Sequence, residues 1–154
     1  MLKGLDPLLG PDLLATLRGM GHGDEIAIVD GNYPAISHGQ RIISADGLAL
    51  EPVLRAILSI LPLDSDVARP VMRTCNANHP DQPDPIHKEI DAILLEAIAP
   101  TQLELAHGTP FYDRAKQCHA IVATSEPALF ANVILRKGVI SGLHLDAPSS
   151  RDTQ

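Results

Sequence analysis

The chain has 154 residues, about the size of one ordinary domain, and its 45% hydrophobic and 20% charged residues fit a globular protein. The net charge of −7 argues against a nucleic-acid or anionic-membrane binder, because phosphate contacts need clustered Lys and Arg. No apolar run approaches the roughly 20 residues of a membrane span, and no signal-peptide pattern is visible. We expect Cys75 and Cys118 to be buried free thiols. We therefore expect one cytosolic domain over residues 1–145, followed by a frayed tail over 146–154.

Apolar side chains at helical spacing, with prolines near the starts, predict four helices at 11–20, 50–61, 85–98 and 110–118. We expect Thr109 to cap the fourth helix. Short β-prone runs lie between the helices, at 26–29, 41–43, 71–75, 103–105, 120–123 and 133–135. This alternation predicts a single α/β layered domain with a largely parallel sheet flanked by helices.

Polar residues lie around two of the predicted strands. His22 stands between Gly21 and Gly23 just before the first strand, and Asp30 follows that strand. His107 follows the strand at 103–105. Because ligands of α/β sheets bind beyond the carboxyl ends of strands, we expect these side chains to converge on one cleft. Each also has a purely structural interpretation. His22 could be a loop residue after a helix, Asp30 could form an Asx turn, and His107 could belong to a turn before the next helix.

The other histidines offer no metal site. His79, Asp84 and His87 lie close together in the chain, but their spacing matches no standard site, and we expect them to be solvated surface. We expect His119 to be a packing or helix-end residue. His38 lies in a Ser-His-Gly segment that could line the cleft, and its role stays open. We therefore predict neither a metal nor a cofactor.

Several short motifs occur in an order that resembles the RbsD/FucU family of L-fucose mutarotases and D-ribose pyranases. The resemblance covers residues 2 to about 140, and the motif over residues 20–25 and the Phe-Tyr-Asp-Arg segment place the chain nearer the fucose branch. The motifs are Leu2-Lys3-Gly4, Met20-Gly21-His22-Gly23-Asp24-Glu25, Asp30 with Pro34, Ala45-Asp46-Gly47-Leu48, Phe111-Tyr112-Asp113-Arg114-Ala115, Ala131-Asn132-Val133-Ile134-Leu135 and Lys137-Gly138-Val139.

The resemblance implies an RbsD-like fold and cofactor-free interconversion of the anomers of a monosaccharide. It implies that His22 is the proton donor and that Asp30 binds sugar. A third position, Arg in fucose-type and His in ribose-type members, falls near His107. It also implies a ring-shaped homo-oligomer with sites near the subunit interfaces.

The family's Tyr-x-Asn triplet is present as Phe130, Ala131 and Asn132, so the tyrosine hydroxyl is missing while the backbone and Asn132 remain as sugar-binding candidates. We expect Tyr112, on the helix after His107, to face the sugar. The four aromatic residues Tyr33, Phe111, Tyr112 and Phe130 all follow site candidates or begin the triplet, which predicts that they cluster around one pocket.

A sugar mutarotase is therefore the predicted function. Opening a hemiacetal needs an acid and a base near neutral pH, and an imidazole ordinarily titrates at about 6.5. The same residues could instead hold a sugar without turning it over, as in a sugar-binding or transport-accessory protein. A nucleotide-binding domain is not supported, because the chain has neither a Gly-x-Gly-x-x-Gly after a strand nor a Walker-type motif.

Overall fold

The computed structural model describes residues 2–140, which form six strands, five helices and a 3-10 turn at Pro100–Gln102. The helices are α1 (Pro11–Gly19), α2 (Ala35–His38), α3 (Leu50–Leu58), α4 (Pro85–Leu94) and α5 (Thr109–Ala115). The strands are β1 (Glu25–Val29), β2 (Ile42–Ala45), β3 (Val71–Thr74), β4 (Leu103–Ala106), β5 (Ala120–Thr124) and β6 (Val133–Arg136). The predicted domain end at residue 145 and the predicted tail lie outside the described residues.

The strands form one mixed sheet in the order β2-β5-β1-β6-β3-β4. The pairs β1–β5, β2–β5 and β3–β4 are parallel, whereas β6 is antiparallel to both β1 and β3. The prediction of an α/β domain with a largely parallel sheet is confirmed, with β6 as the reversed strand. Because β6 is reversed, its first residues lie at the same edge of the sheet as the carboxyl ends of β1 and β3.

Helices cover both faces of the sheet because successive residues of a strand point to opposite sides. Ile26 and Ile28 of β1 pack in one core layer with residues of α1, α3 and α4, among them Leu13, Leu17, Leu54, Ile57, Ile90 and Leu94. Ala27 and Val29 belong to a second layer with Ala35 of α2 and with Phe111 and Ala115 of α5. Residues 26–29 are all fully buried, as their continuous apolar run predicts.

The helix boundaries differ from the predicted ones. α3 and α4 end at Leu58 and Leu94, earlier than predicted, because the following residues form tighter turns in which Ile60 and Ala97 donate backbone N–H bonds three residues back. Thr109 is the first helical residue and Gly108, at φ +59°, is the N-cap, so the prediction that Thr109 caps α5 is wrong. The four-residue α2 is too short to produce a helical period and was not predicted.

His87 is fully buried, so the prediction that it belongs to the solvated surface is wrong, while His79 is exposed. The apolar face of α4 carries His87 inward, where both ring nitrogens have partners. Cys75 and Cys118 are buried free thiols, as predicted, and burial raises the pKa of Cys118 to about 12. No helix within residues 2–140 has the length and apolarity to cross a membrane.

Candidate active site

A buried carboxylate and a buried carboxamide meet at the sheet edge where β1 ends and β6 begins. Asp30 and Asn132 are each 5% exposed. Asn132 Nδ2 donates a hydrogen bond to Asp30 Oδ2 at 2.9 Å, and the backbone N–H of Asp30 donates to Asn132 Oδ1 at 3.0 Å. The other carboxylate oxygen accepts the backbone N–H of Asn32 at 2.9 Å. Asp30 therefore forms an Asx turn and also holds Asn132 in a fixed orientation.

The carboxylate of Asp30 borders an open cleft. Burial raises the pKa of Asp30, and hydrogen bonds from Asn32 and Asn132 partly oppose this effect. The cleft has a volume of about 440 Å³, and Tyr33, Ser44 and Asp46 contribute to its lining. Small-molecule sites commonly measure ~300–1,000 Å³. A partly desolvated carboxylate beside such a cleft is a strong acceptor for the hydroxyl groups of a ligand.

The turn before β6 is strained. Phe130 has φ +60°, the only positive φ of a non-glycine residue among residues 2–140. Side chains other than glycine pay roughly 1–2 kcal/mol in this region, and such strain is common at functional sites. Thr74 stabilises the turn, because its hydroxyl donates to the Phe130 carbonyl at 2.5 Å and accepts the Asn132 backbone N–H at 3.1 Å. Ala131, between them, is fully buried.

An aromatic cluster lies beside the Asp30 turn. The Tyr33 ring packs edge-on against Tyr112 at 5.5 Å and against Phe111 at 6.1 Å between centroids. His38 joins them, with its Nδ1 2.9 Å from the Tyr33 hydroxyl and its ring 5.2 Å from Tyr112. Tyr112 is 40% exposed, whereas Phe111 is fully buried in the core. Three of the four aromatic residues thus cluster, but Phe130 joins no ring pair within residues 2–140.

His22 lies at the other edge of the sheet, just before β1, with 46% of its side chain exposed. Its Nε2 is 3.2 Å from Asp64 Oδ1, and Asp64 Oδ2 accepts a hydrogen bond from Arg136 Nε at 2.8 Å. The Arg136 guanidinium lowers the pKa of Asp64 to about 2, so this carboxylate stays ionised and can only accept hydrogen bonds. A neutral His22 therefore carries its proton on Nε2, which leaves the Nδ1 lone pair to accept a proton.

The sequence did not reveal the partners of His22. Asp64 is 42 residues from His22 in the chain, and its only signal is an acidic residue after the apolar run at 60–63. Arg136 is the one charged residue of β6. His22, Asp64 and Asp66 each offer a ligand atom within 4.8 Å of the others and could hold a cation. A cation there would compete with the guanidinium that already neutralises Asp64.

The predicted convergence of His22, Asp30 and His107 does not occur within one chain. His22 precedes β1 and Asp30 follows it, and a strand of five residues spans roughly 16 Å. His107 follows β4, at the same edge as Asp30 but three strands away, or about 14 Å at the usual strand spacing, and it is exposed. The chain therefore presents the Asp30–Asn132 pair at one edge and the His22 imidazole at the other.

Comparisons with known proteins match nearly the whole chain. A sequence model of the RbsD / FucU transport protein family matches residues 3–140. Human fucose mutarotase is 43% identical over 146 residues, which are 91% of this chain and 95% of that protein. The crystal structure of a Streptococcus pneumoniae fucose mutarotase in complex with L-fucose superimposes with a TM-score of 0.84 at 37% identity, covering 90% of this chain and 99% of that one. Bacillus subtilis RbsD complexed with D-ribose shares the fold, with a TM-score of 0.71 at 22% identity over 91% of this chain and 99% of that one.

Proposed function

The chain belongs to the RbsD / FucU transport protein family, and from that membership we propose that it is a sugar mutarotase, which interconverts the anomers of a free monosaccharide. The observation that carries the proposal is the buried Asp30–Asn132 pair beside an open cleft, in a chain whose relatives are named fucose mutarotases. L-Fucose or a related aldose is the substrate that those names favour.

Mutarotation is an acid–base reaction. The anomeric hydroxyl loses its proton to a base, the ring oxygen gains a proton from an acid, and the bond between C1 and the ring oxygen breaks to give the open-chain aldehyde. Rotation about the C1–C2 bond and reversal of these steps close the sugar with the opposite configuration. No electron is gained or lost, so the reaction needs only binding groups and an acid–base group, which typically contributes ~10²–10⁴-fold.

We assign the acid–base step to His22. Its Nδ1 takes the proton of the anomeric hydroxyl and returns a proton to the ring oxygen, while the ionised Asp64 stabilises the imidazolium form from Nε2. Arg136 keeps Asp64 ionised, and the Asp64 carboxylate also accepts the backbone N–H of Asp66 at 3.0 Å. Asp64 is therefore fixed in place before substrate arrives.

We assign sugar binding to the opposite edge of the sheet. Asp30 accepts hydrogen bonds from sugar hydroxyls, and Asn132, held against it, offers both a donor and an acceptor for neighbouring hydroxyls. Phe130 and Ala131 contribute the backbone of the same turn, and Phe130 brings an aromatic ring without a hydroxyl. Tyr112 packs its exposed ring against the C–H face of the sugar. His107 lies about 14 Å from Asp30 along the same edge, so we include it in the proposed set only through a contact between copies of the chain.

Because these two groups lie at opposite edges of one sheet, we propose that two copies of the chain share each active site. A head-to-tail contact would bring His22 of one copy to Asp30 of the next, and a contact of this kind forms a ring when its rotation closes. The wide separation of His22 and Asp30 across β1 supports this arrangement. Light scattering tests it: a monomer that still catalyses anomer exchange would contradict a shared site.

NMR exchange spectroscopy between the α and β anomers of L-fucose tests the function. We expect the wild type to accelerate exchange, His22→Ala to lose about 100-fold of that acceleration, and His79→Ala, at an exposed loop position, to behave as wild type. Unchanged acceleration in His22→Ala would contradict its role. If L-fucose, D-ribose and related aldoses bind to the wild type but exchange only at the buffer rate, the chain is a sugar-binding or transport-accessory protein instead.

Mixing two inactive variants tests the shared site separately. His22→Ala keeps Asp30, and Asp30→Ala keeps His22, so neither variant alone has a complete site. When the two are unfolded together and refolded at equal concentrations, about a quarter of the interfaces of a ring should pair an intact His22 with an intact Asp30. We expect that fraction of the wild-type exchange rate to return. No recovery in a mixed oligomer would contradict the shared site.

We also propose a cytosolic location and one mutarotase-like domain over residues 1–145. The two buried free thiols support the location, because cytosolic proteins keep their thiols reduced. The family match over residues 3–140 supports the domain. Diamide oxidation of the native protein, followed by a count of the remaining thiols, tests the location. A disulfide that forms readily without loss of the fold would argue against it.

A further inference from the structure

The fully buried His87 of α4 has a defined tautomer. Its Nδ1 accepts the backbone N–H of Asp84 at 3.1 Å, so in the neutral ring the proton must be on Nε2. Nε2 lies 2.9 Å from the carbonyl oxygen of Phe130 and donates to it. This bond joins residues that are 43 positions apart and ties the start of α4 to the turn before β6.

The Phe130 carbonyl is held by two donors from two elements. His87 donates from α4, and the Thr74 hydroxyl donates from the end of β3. Phe130 is also the residue with φ +60°, a conformation that its side chain disfavours. Without its donors, the half-buried carbonyl would lack protein partners, and the turn could relax toward a negative φ.

The constrained turn leads directly to the sugar-binding pair. Asn132 follows Phe130 by two residues, and its carboxamide both accepts the Asp30 backbone N–H and donates to the Asp30 carboxylate. A change of backbone angle at Phe130 moves Asn132, and movement of Asn132 removes two hydrogen bonds from Asp30. The path from His87 to Asp30 therefore consists of hydrogen bonds and one short turn.

We propose that His87 is a positioning residue for sugar binding: its Nε2–H fixes the strained Phe130 turn and thereby holds Asn132 and Asp30 in the geometry that receives the sugar. The inference rests on the proposed function, since it assigns His87 to the same site. His87 does not touch the sugar. The alternative is that His87 only packs α4 against the sheet.

Four substitutions separate positioning from packing. His87→Leu has a similar size but no donor. His87→Gln can place an N–H near the position of Nε2 and should restore function. Ile90→Val, at a fully buried position on the same helix, weakens the core without contacting the Phe130 carbonyl. Thr74→Val removes the other donor, together with the acceptor of the Asn132 backbone N–H, and gives a second test of the turn if His87→Leu does not fold.

The readouts are KM and kcat for L-fucose anomer exchange, and the urea midpoint of unfolding. We expect His87→Leu to raise KM about tenfold with kcat within about twofold, because a binding pair is displaced while His22 is untouched. Thr74→Val should raise KM in the same way, and His87→Gln should return KM to within about threefold of wild type. Ile90→Val should lower the urea midpoint but leave KM unchanged.

A KM for His87→Leu equal to that of Ile90→Val would overturn the proposal, and so would a His87→Gln variant as impaired as His87→Leu. Hydrogen exchange of the peptide spanning 128–135, followed by mass spectrometry, supplies a readout that needs no substrate. Faster exchange there in His87→Leu, but not in Ile90→Val, is expected whatever the sugar. If the wild type exchanges no aldose, the proposed function fails, while this peptide still reports whether His87 holds the turn.

Discussion

Removing the side chain of Asn132 tests how firmly the sugar-binding pair is built into the fold. Asn132→Ala leaves two buried groups of Asp30 without a partner, the backbone N–H and one carboxylate oxygen. A buried polar group without a partner costs about 1–3 kcal/mol, so we expect a loss of about 2–6 kcal/mol in the free energy of unfolding at pH 7. Sugar affinity should fall with it.

Asp30→Ala should cost less than Asn132→Ala. The backbone N–H at position 30 remains, so the Asn132 carboxamide oxygen keeps its donor, and Asn132 Nδ2 still lies 3.5 Å from the Thr74 hydroxyl. The Asn32 N–H loses its acceptor, but Asn32 is exposed and water can replace the carboxylate. In the double variant no carboxylate is left unpartnered. The losses of the two single variants should therefore not add. Their sum should exceed the loss of the double variant by about 1.5–3 kcal/mol, the value of a hydrogen bond to a charged group.

Urea unfolding followed by circular dichroism measures all four proteins of this cycle, at one fixed chain concentration because an oligomer gains stability with concentration.

The pH dependence of the Asn132→Ala penalty gives a second check. Burial raises the pKa of Asp30, and removal of the Asn132 donor should raise it further. The neutral carboxyl is less costly to leave unpartnered, so the penalty of Asn132→Ala should shrink as the pH falls from 7 toward 5. Losses that add to within about 0.5 kcal/mol, or a penalty independent of pH, would refute this reasoning.

Two further predictions concern the His22 edge. Arg136 lowers the pKa of Asp64 to about 2, so the stabilising effect of this carboxylate is complete above about pH 4 and is lost as the pH falls toward 2. Asp64→Asn should remove that acid-dependent loss of stability from urea midpoints measured between pH 5 and 2. An unchanged pH profile would contradict the assignment. Gly138→Ala would place a Cβ 2.5 Å from the Leu63 carbonyl oxygen and 2.7 Å from the Asp64 Cα, so it should cost about 1–3 kcal/mol in thermal or urea unfolding and slow anomer exchange. Gly19→Ala, whose Cβ would meet nothing within 4 Å, is its matched control and should leave the exchange rate unchanged.

Local patterns predicted the elements of this fold because each strand and long helix carries its own periodicity. The continuous apolar run at 26–29 predicts a buried strand, and the structure has one there. The apolar spacing around Leu54 and Ile57 predicts a helix that packs on the core, as the structure shows. The reversed direction of β6 has no such local mark. Its pairing with β1 and β3 is set by contacts between residues far apart in the chain, and the same is true of the His22–Asp64 and His87–Phe130 bonds.

One feature of the site was accessible from the sequence. His22 precedes a strand and Asp30 follows the same strand, and residues on either side of one strand must lie at opposite edges of its sheet. The rule that ligands bind at carboxyl ends applies to Asp30 but not to His22, which stands at the amino end. If both residues act on one sugar, no change of loop conformation within the chain can replace the length of β1. Strand geometry is therefore the argument for the proposal that a second copy supplies the missing group.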